Sequence, residues 1–196
     1  DEYKVNLVGG CCGTTPAHLK EVVEQLHGIN NAKRIVNRES GASSLYQFAP
    51  FRQQNTYLSI GERTNANGSR AFRDALLAED WQSCVEIARD QIRDGAHMLD
   101  LSVDYVGRDG VADMKELAFR FATTSTLPIV LDSTEPAVLE AGLKQLGGRS
   151  VINSVNYEDG DGPTSRFARI MPLVVEHGAA VVALTIDEDG QARDSA

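Results

Sequence analysis

The chain has 196 residues, 42% of them hydrophobic, and a formal net charge of -9 at pH 7. That length supports one ordinary domain with an appendage, and an acidic chain without a local basic patch excludes nucleic acid and anionic membrane as expected partners. No apolar run reaches the roughly 20 residues that span a bilayer, and three cysteines, Cys11, Cys12 and Cys84, the first two adjacent, make a poor disulfide framework, so a reducing cytoplasm is the expected location.

In chain order, Val5 to Val8 reads as a short buried strand that runs into Gly9-Gly10-Cys11-Cys12-Gly13-Thr14-Thr15-Pro16. Thr15 is placed to cap a helix with Pro16 in its first turn, where a missing N–H costs nothing. Leu19, Val22, Val23 and Leu26 lie on one face of that helix and Gly28 stops it. From about Ile29 to Asn55 the chain mixes Asn, Arg, Ser, Gly and Gln with little periodicity. Leu45, Phe48, Pro50 and Phe51 mark it as a linker that packs on something, and a domain boundary is placed here. The expected organisation is therefore an appended strand and helix over 1–28, a linker over 29–55 and a larger domain over 56–196.

The larger domain alternates strand and helix patterns. Tyr57 to Ile60 is its first expected strand, followed by a polar loop and helices over about 70–78 and from Asp80 to Gly95. His97 to Leu101, Pro128 to Leu131, Ser150 to Ile152 and Ala180 to Leu184 are the next four strands. Helices over about 112–122, 135–146 and 165–177 separate them, with Gly147-Gly148 and Gly178 as stops. Such alternation implies right-handed crossovers, a parallel sheet and an α/β class. The five strands fill part of a (β/α)8 TIM barrel, and no Gly-x-Gly-x-x-Gly follows the first strand to favour a dinucleotide fold. The first residue is not Met and the last strand-like run lies near the end, so the chain is expected to be a piece of a larger protein. Open strand edges on both sides of a partial barrel predict self-association.

Polar residues collect where these strands end: Glu62, Arg63 and Asn65, then Asp100 and Asp104, then Asp132, then Asn153, then Asp187. In a barrel these ends converge on one mouth. A ring of Asp and Asn with few bases suits a neutral, nitrogen-rich heterocycle better than a phosphate. A carboxylate accepts two N–H bonds from an amidine-like edge, and an amide both donates and accepts, so Asp132 and Asn153 together can grip such an edge. The alternative is that each caps the helix after it. Asp100 either meets the ligand or braces the neighbouring loop. Glu62-Arg63 is read as an ion pair, Asn65 as a ligand contact, and 187–190 as a solvated turn. Cys11-Cys12 supplies either two zinc ligands or two packed thiols, since zinc takes about four ligands. His18, His27, His97 and His177 pair with no Ser or Cys in a nucleophile pattern.

The segments Gly61-Glu62-Arg63-Thr64-Asn65, Leu131-Asp132-Ser133-Thr134 and Ile152-Asn153-Ser154, with Glu140-Ala141-Gly142-Leu143-Lys144 between them, resemble the pterin-binding barrel of folate:corrinoid methyltransferases and dihydropteroate synthases. Gly9-Gly10-Cys11-Cys12-Gly13-Thr14 resembles the end of a homocysteine-binding barrel. In tandem they are similar to the cobalamin-dependent methionine synthase family.

That resemblance implies a piece of an enzyme that moves a methyl group from 5-methyltetrahydrofolate, through methylcobalamin held by a corrinoid domain outside this chain, to homocysteine. It implies that Asp132 and Asn153 bind the pterin; Asn65 and Asp100, at neighbouring strand ends, are the further expected pterin contacts. Asn153 would also assist protonation of N5 as the methyl leaves. Cys11 and Cys12 would be two of three zinc ligands, the third lying outside this chain. The other readings are a dihydropteroate synthase-like enzyme, which leaves Cys11-Cys12 unexplained, and a non-catalytic structural fragment.

Overall fold

The computed structural model describes residue 5, residues 7–29 and residues 39–192. The chain divides into two compact units, Asp1–Glu39 and Ser40–Ala196.

In the first unit, helix α1 spans Pro16–Leu26 with Pro16 in its first turn. The Thr15 N–H donates to His18 Nδ1 at 3.2 Å, which satisfies one of the donors a helix start leaves unpaired. Gly28 ends the helix region with φ +78, a conformation that disfavours residues with a Cβ. The buried strand expected over Val5 to Val8 is corrected: residues 5, 7 and 8 lie in no strand, and Leu7 is 90% exposed. Asn6 lies outside the described residues. A strand exists only by pairing, and the described residues of this unit hold no second strand. Leu19, Val23 and Leu26 on the apolar face of α1 are likewise exposed.

The second unit opens with an antiparallel pair, β1 (Gly41–Ser43) and β2 (Phe48–Pro50). β3 (Ile60–Gly61), α2 (Arg70–Leu77), α3 (Trp81–Arg93), β4 (Met98–Leu101), α4 (Gly110–Thr124), β5 (Ile129–Asp132), α5 (Pro136–Leu143), β6 (Val151–Val155), α6 (Arg166–His177) and β7 (Ala180–Ala183) follow. A small hairpin, β8 (Ile186–Asp187) and β9 (Gly190–Gln191), comes last. β3 to β7 form one parallel sheet in sequential order, as the alternating pattern requires. Helix starts follow local chemistry: the side chains of Ser69, Asp80, Asp109 and Ser165 each accept a main-chain N–H from the first turn of α2, α3, α4 and α6.

Three differences from the sequence reading bear on the sheet. Only Ile60 and Gly61 pair with β4, and Tyr57 is 94% exposed. β6 runs on to Val155, with a register shift between Asn153 and Val155. The β1–β2 hairpin lies in the second unit, although its residues read as linker.

The strands alternate with period two. Leu99, Leu101, Ile129, Leu131 and Ile152 point to the core shared with the helices, where Phe72, Leu76, Met114, Leu117, Phe121, Leu139 and Ile170 are buried. Met98, Val130, Val151 and Ala180 point to the other face, where they meet Ala42 and Ala49 of the hairpin and Phe51. The hairpin thus covers one end of that face. Asp100, Asp132 and Asn153 continue the same alternation, two residues beyond Met98, Val130 and Val151, and so occupy the same face nearer the C-terminal strand ends.

Gly148 joins hairpin to sheet. Main-chain bonds connect Ser43 N to Arg149 O at 3.0 Å and Arg149 N to Ser43 O at 2.9 Å. Gly148 has φ +80, and a Cβ there would collide with the main chain of Ser43 and Ser44. Gly148→Ala is expected to lose about 2 kcal/mol or more of stability, since backbone strain and a backbone clash add. Urea denaturation measures it; a loss below about 0.5 kcal/mol would show that the hairpin can move aside at no cost.

Candidate functional site

Four neighbouring strand ends supply the site. After β3 the chain bulges and then resumes pairing beside β4: Ala66 N–H donates to Ser102 O at 2.9 Å and Ser102 N–H to Thr64 O at 3.2 Å. This places Asn65 beside the ends of β4 and β5. Its Nδ2 donates to Asp100 Oδ2 at 2.8 Å and to Asp132 Oδ2 at 3.0 Å. Its Oδ1 accepts the N–H groups of Asn67 at 2.9 Å and Gly68 at 3.1 Å. Both N–H donors and both carbonyl lone pairs are therefore used, and the network fixes which end of the amide is nitrogen.

Asp132 and Asn153 are register partners across β5 and β6. Neither caps a helix: the N-caps of α5 and α6 are Glu135 and Ser165, so the capping alternative falls away. Asp132 is half-buried and Asn65 engages one of its two oxygens. Asn153 is half-buried too, and no described residue hydrogen-bonds its side chain. Acceptor capacity on Asp132 and a whole amide on Asn153 are thus left for something else.

Asp100 is 4% exposed. Burial pushes its carboxyl up to about 6, opposed by the Asn65 hydrogen bond and reinforced by the charges of Asp132 and Glu62. Its carbonyl accepts the Thr64 hydroxyl, so Asp100 braces the neighbouring loop with its main chain and meets Asn65 with its side chain. Burial also raises the pKa of Asp132; the Asn65 bond opposes this, and the charge of Asp104 adds to it. Glu62 and Arg63 are exposed and form no ion pair among the described residues, which corrects that expectation. Instead Arg63 N–H donates to Gln91 Oε1 at 2.6 Å, and Gln91 Nε2 donates to Thr64 Oγ1 at 3.2 Å. The turn expected over 187–190 is the tip of the β8–β9 hairpin.

A charged group whose folded pKa is raised above its unfolded value favours the folded state at low pH and disfavours it above the folded pKa. Asp100 therefore makes the wild-type protein lose stability as pH rises through about 6, by about 1.4 kcal/mol at most for each pH unit separating ordinary and raised values. Asp100→Asn keeps the shape and removes the charge. It is expected to gain more stability at pH 7.5 than at pH 5, read by denaturant titration at both. An equal effect at the two pH values would mean Asp100 is not titrating in this range.

Sequence reasoning missed Gln91 and Arg166, and it named Asp104 at a strand end without giving it a role. Gln91 sits among the apolar positions of α3 and carries no periodic signal. Asp104 accepts from Ser133 Oγ at 2.8 and 2.9 Å and from Thr134 N–H at 3.0 Å. Arg166 donates to three main-chain carbonyls, Ser154 from Nε, Thr134 from Nη1 and Ser133 from Nη2, each at 2.9 Å. Only the fold brings these loops together.

In the first unit, Cys11 and Cys12 are exposed, so they are not packed thiols. Their sulfurs are 3.8 Å apart, the separation that two bonds of about 2.3 Å to one tetrahedral zinc would give. Hydrogen bonds from Cys12, main chain first, hold the Cys11 thiol below its ordinary pKa, which favours the metal-binding thiolate. Among the described residues no third His, Cys, Asp or Glu completes a metal-binding group. Cys84 is buried and burial pushes its thiol up to about 11, so it is an inert core residue. No helix of the described residues is long and apolar enough to cross a membrane.

Comparison with known proteins adds the following. Residues 61–196 match the pterin binding enzyme family, and residues 1–26 match the homocysteine S-methyltransferase family. The chain is 68% identical over 192 residues to a methionine synthase of Mycobacterium tuberculosis (strain ATCC 25618 / H37Rv). It is 64% identical over 197 residues to a methionine synthase of Mycobacterium leprae (strain TN). Each match covers 98% of this chain and 16% of the relative.

Proposed function

The chain belongs to the pterin binding enzyme family, and from that premise we propose that it is the segment of a cobalamin-dependent methionine synthase in which the end of a homocysteine barrel meets the first part of a folate barrel. The observation that carries the reading is the pair Asp132 and Asn153: adjacent in register, on the same face of a parallel sheet, half-buried and with hydrogen-bonding capacity unspent. In this proposal the sheet is the first part of a (β/α)8 barrel, and further strands continue from the edges of β3 and β7 to close it. A piece with both edges open would self-associate.

The substrate is 5-methyltetrahydrofolate. Asp132 accepts N–H bonds from the amidine-like edge of the pterin. Asn153 faces a ring nitrogen, and its amide can accept from that nitrogen when protonated and donate when it is not. A methyl on a tertiary amine leaves poorly because the departing nitrogen is basic; protonation at N5 improves the leaving group, and Asn153 stabilises the protonated form. Asn65 orients Asp100 and Asp132 from within the protein, its own hydrogen bonds being used. Cobalamin, held by another domain, would supply the nucleophile that takes the methyl group. Zinc held by Cys11, Cys12 and a ligand beyond the described residues would lower the pKa of the homocysteine thiol. Three free cysteines fit a reducing, cytoplasmic setting.

Calorimetric titration with 5-methyltetrahydrofolate tests the reading. Saturable binding at one site per chain is expected. A folded protein that binds no folate at millimolar concentration would overturn it.

A further inference from the structure

Asp132 ends β5, and the residues that follow it are held from two sides. On one side Asp104, from the loop after β4, accepts the Ser133 hydroxyl at 2.8 and 2.9 Å, the Thr134 N–H at 3.0 Å and the Thr134 hydroxyl at 3.4 Å. On the other side the Arg166 guanidinium, in the first turn of α6, donates to the carbonyls of Ser133 and Thr134 at 2.9 Å each. An anion thus takes the donors of this segment and a cation takes its acceptors. The Arg166 Nε also donates to the Ser154 carbonyl at 2.9 Å, immediately after Asn153. One planar guanidinium therefore joins the chain leaving Asp132 to the chain leaving Asn153.

Arg166 is itself anchored. Its main-chain N–H donates to Asp159 Oδ2 at 2.8 Å, and the helix it opens is capped by Ser165, whose hydroxyl accepts the Ala168 N–H at 3.2 Å. Among the described residues it forms no ion pair, so its donors go to main-chain carbonyls. A lysine could reach one or two of these carbonyls, but its point charge lacks the fixed fork that meets three.

We propose that Asp104 and Arg166 act as positioning residues, a two-sided clamp on Ser133-Thr134 that sets the spacing of Asp132 and Asn153 for the pterin. This rests on the pterin reading above. Neither residue needs to touch the ligand. A displacement on the order of 1 Å at either strand end misplaces an acceptor against a rigid ring, and such errors cost up to about a hundredfold.

The test compares the wild-type protein with Arg166→Lys, Arg166→Met and Asp104→Asn by 5-methyltetrahydrofolate titration across pH, with thermal unfolding alongside. Arg166→Lys keeps the charge and breaks the fork. It is expected to bind about tenfold more weakly, while the pH at which binding is half lost stays where it is in the wild type. Arg166→Met is expected to bind as weakly and to move that pH upward, because the positive charge that opposes protonation of Asp132 is gone. Wild-type affinity in Arg166→Lys overturns the proposal. Weakening that appears only in proportion to a lowered melting temperature also overturns it, since that is a structural role. Where the Arg166 variants fail to fold, Asp104→Asn decides: a folded Asp104→Asn should lose about tenfold, and wild-type affinity in it overturns the clamp. Absence of folate binding by the wild-type protein instead removes the proposed function, and this inference with it.

Discussion

Asp132→Asn is expected to weaken 5-methyltetrahydrofolate binding by about a hundredfold or more. The substitution preserves shape, and the amide oxygen can still accept from Asn65. It replaces one carboxylate oxygen with an NH2, so one pterin N–H then faces a donor, and the other N–H loses a charge-assisted bond worth about 1.5–3 kcal/mol. Leaving a donor unpaired in a half-buried site adds a further cost of similar size. The same argument fixes a pH dependence. Burial raises the pKa of Asp132 above its ordinary value, and the pterin needs the ionised form, so wild-type affinity falls on acidification earlier than an ordinary aspartate would make it fall. Asp132→Asn should be weak and flat over the same range. Calorimetry at several pH values reads both effects. A loss below tenfold in a folded variant would place the pterin edge elsewhere.

Phe121→Ala is expected to cost about 3–5 kcal/mol of stability, the range for truncating a buried aromatic side chain. Phe121 is 1% exposed on α4, in one cluster with Met114, Leu117 and Ala118 of its own helix and with Ile129 and Leu131 of β5. Its neighbours are held by a sheet on one side and a helix on the other, so the cavity cannot collapse fully. Total stability for a domain of this size is about 5–15 kcal/mol, so the variant approaches unfolding. Val175→Ala is the internal control: Val175 is exposed on α6, and its expected effect is within about 0.5 kcal/mol. Urea denaturation with unchanged slope measures both. Equal effects at the two positions would contradict the core described here.

The register of the sheet gives the site its shape, and part of that register was legible in the chain. Each strand run carries its own period-two alternation, and Asp132 and Asn153 interrupt apolar runs where a strand is about to end. A single short run does not say which neighbour it pairs with. The first strand was accordingly misplaced: Tyr57, Leu58 and Ser59 look as strand-like as Ile60, and pairing with β4 begins only at Ile60. The β1–β2 hairpin was read as linker because three-residue strands are too short to show a period.

The same limit applies to the supporting residues. Asp104 and Arg166 lie 62 residues apart in sequence, yet both bond Ser133 and Thr134. No local pattern encodes that: the Arg166 bonds go to main-chain carbonyls, which place no demand on the sequence of the segment that accepts them, and Asp104 meets the Ser133 hydroxyl from 29 residues away in the chain. Asn65 was recognisable as a polar residue at a strand end. That its four hydrogen-bonding positions are all used inside the protein could be known only from the neighbouring loops.

The sequence alone determined the α/β class, the order of the five parallel strands and the helices between them, the N-cap positions Thr15 and Asp80, and the candidate residues Asn65, Asp100, Asp132 and Asn153. Those are local properties: periodicity, caps and breakers act within a few residues. Only the tertiary structure decided which polar groups are spent on each other and which remain for a ligand, that Asp100 is buried and its carboxyl raised to about 6, and that a hairpin covers one end of the sheet face carrying Met98, Val130 and Val151. The physical reason is that burial and hydrogen-bond partnership are set by elements distant in sequence, and a side chain's chemistry follows from both.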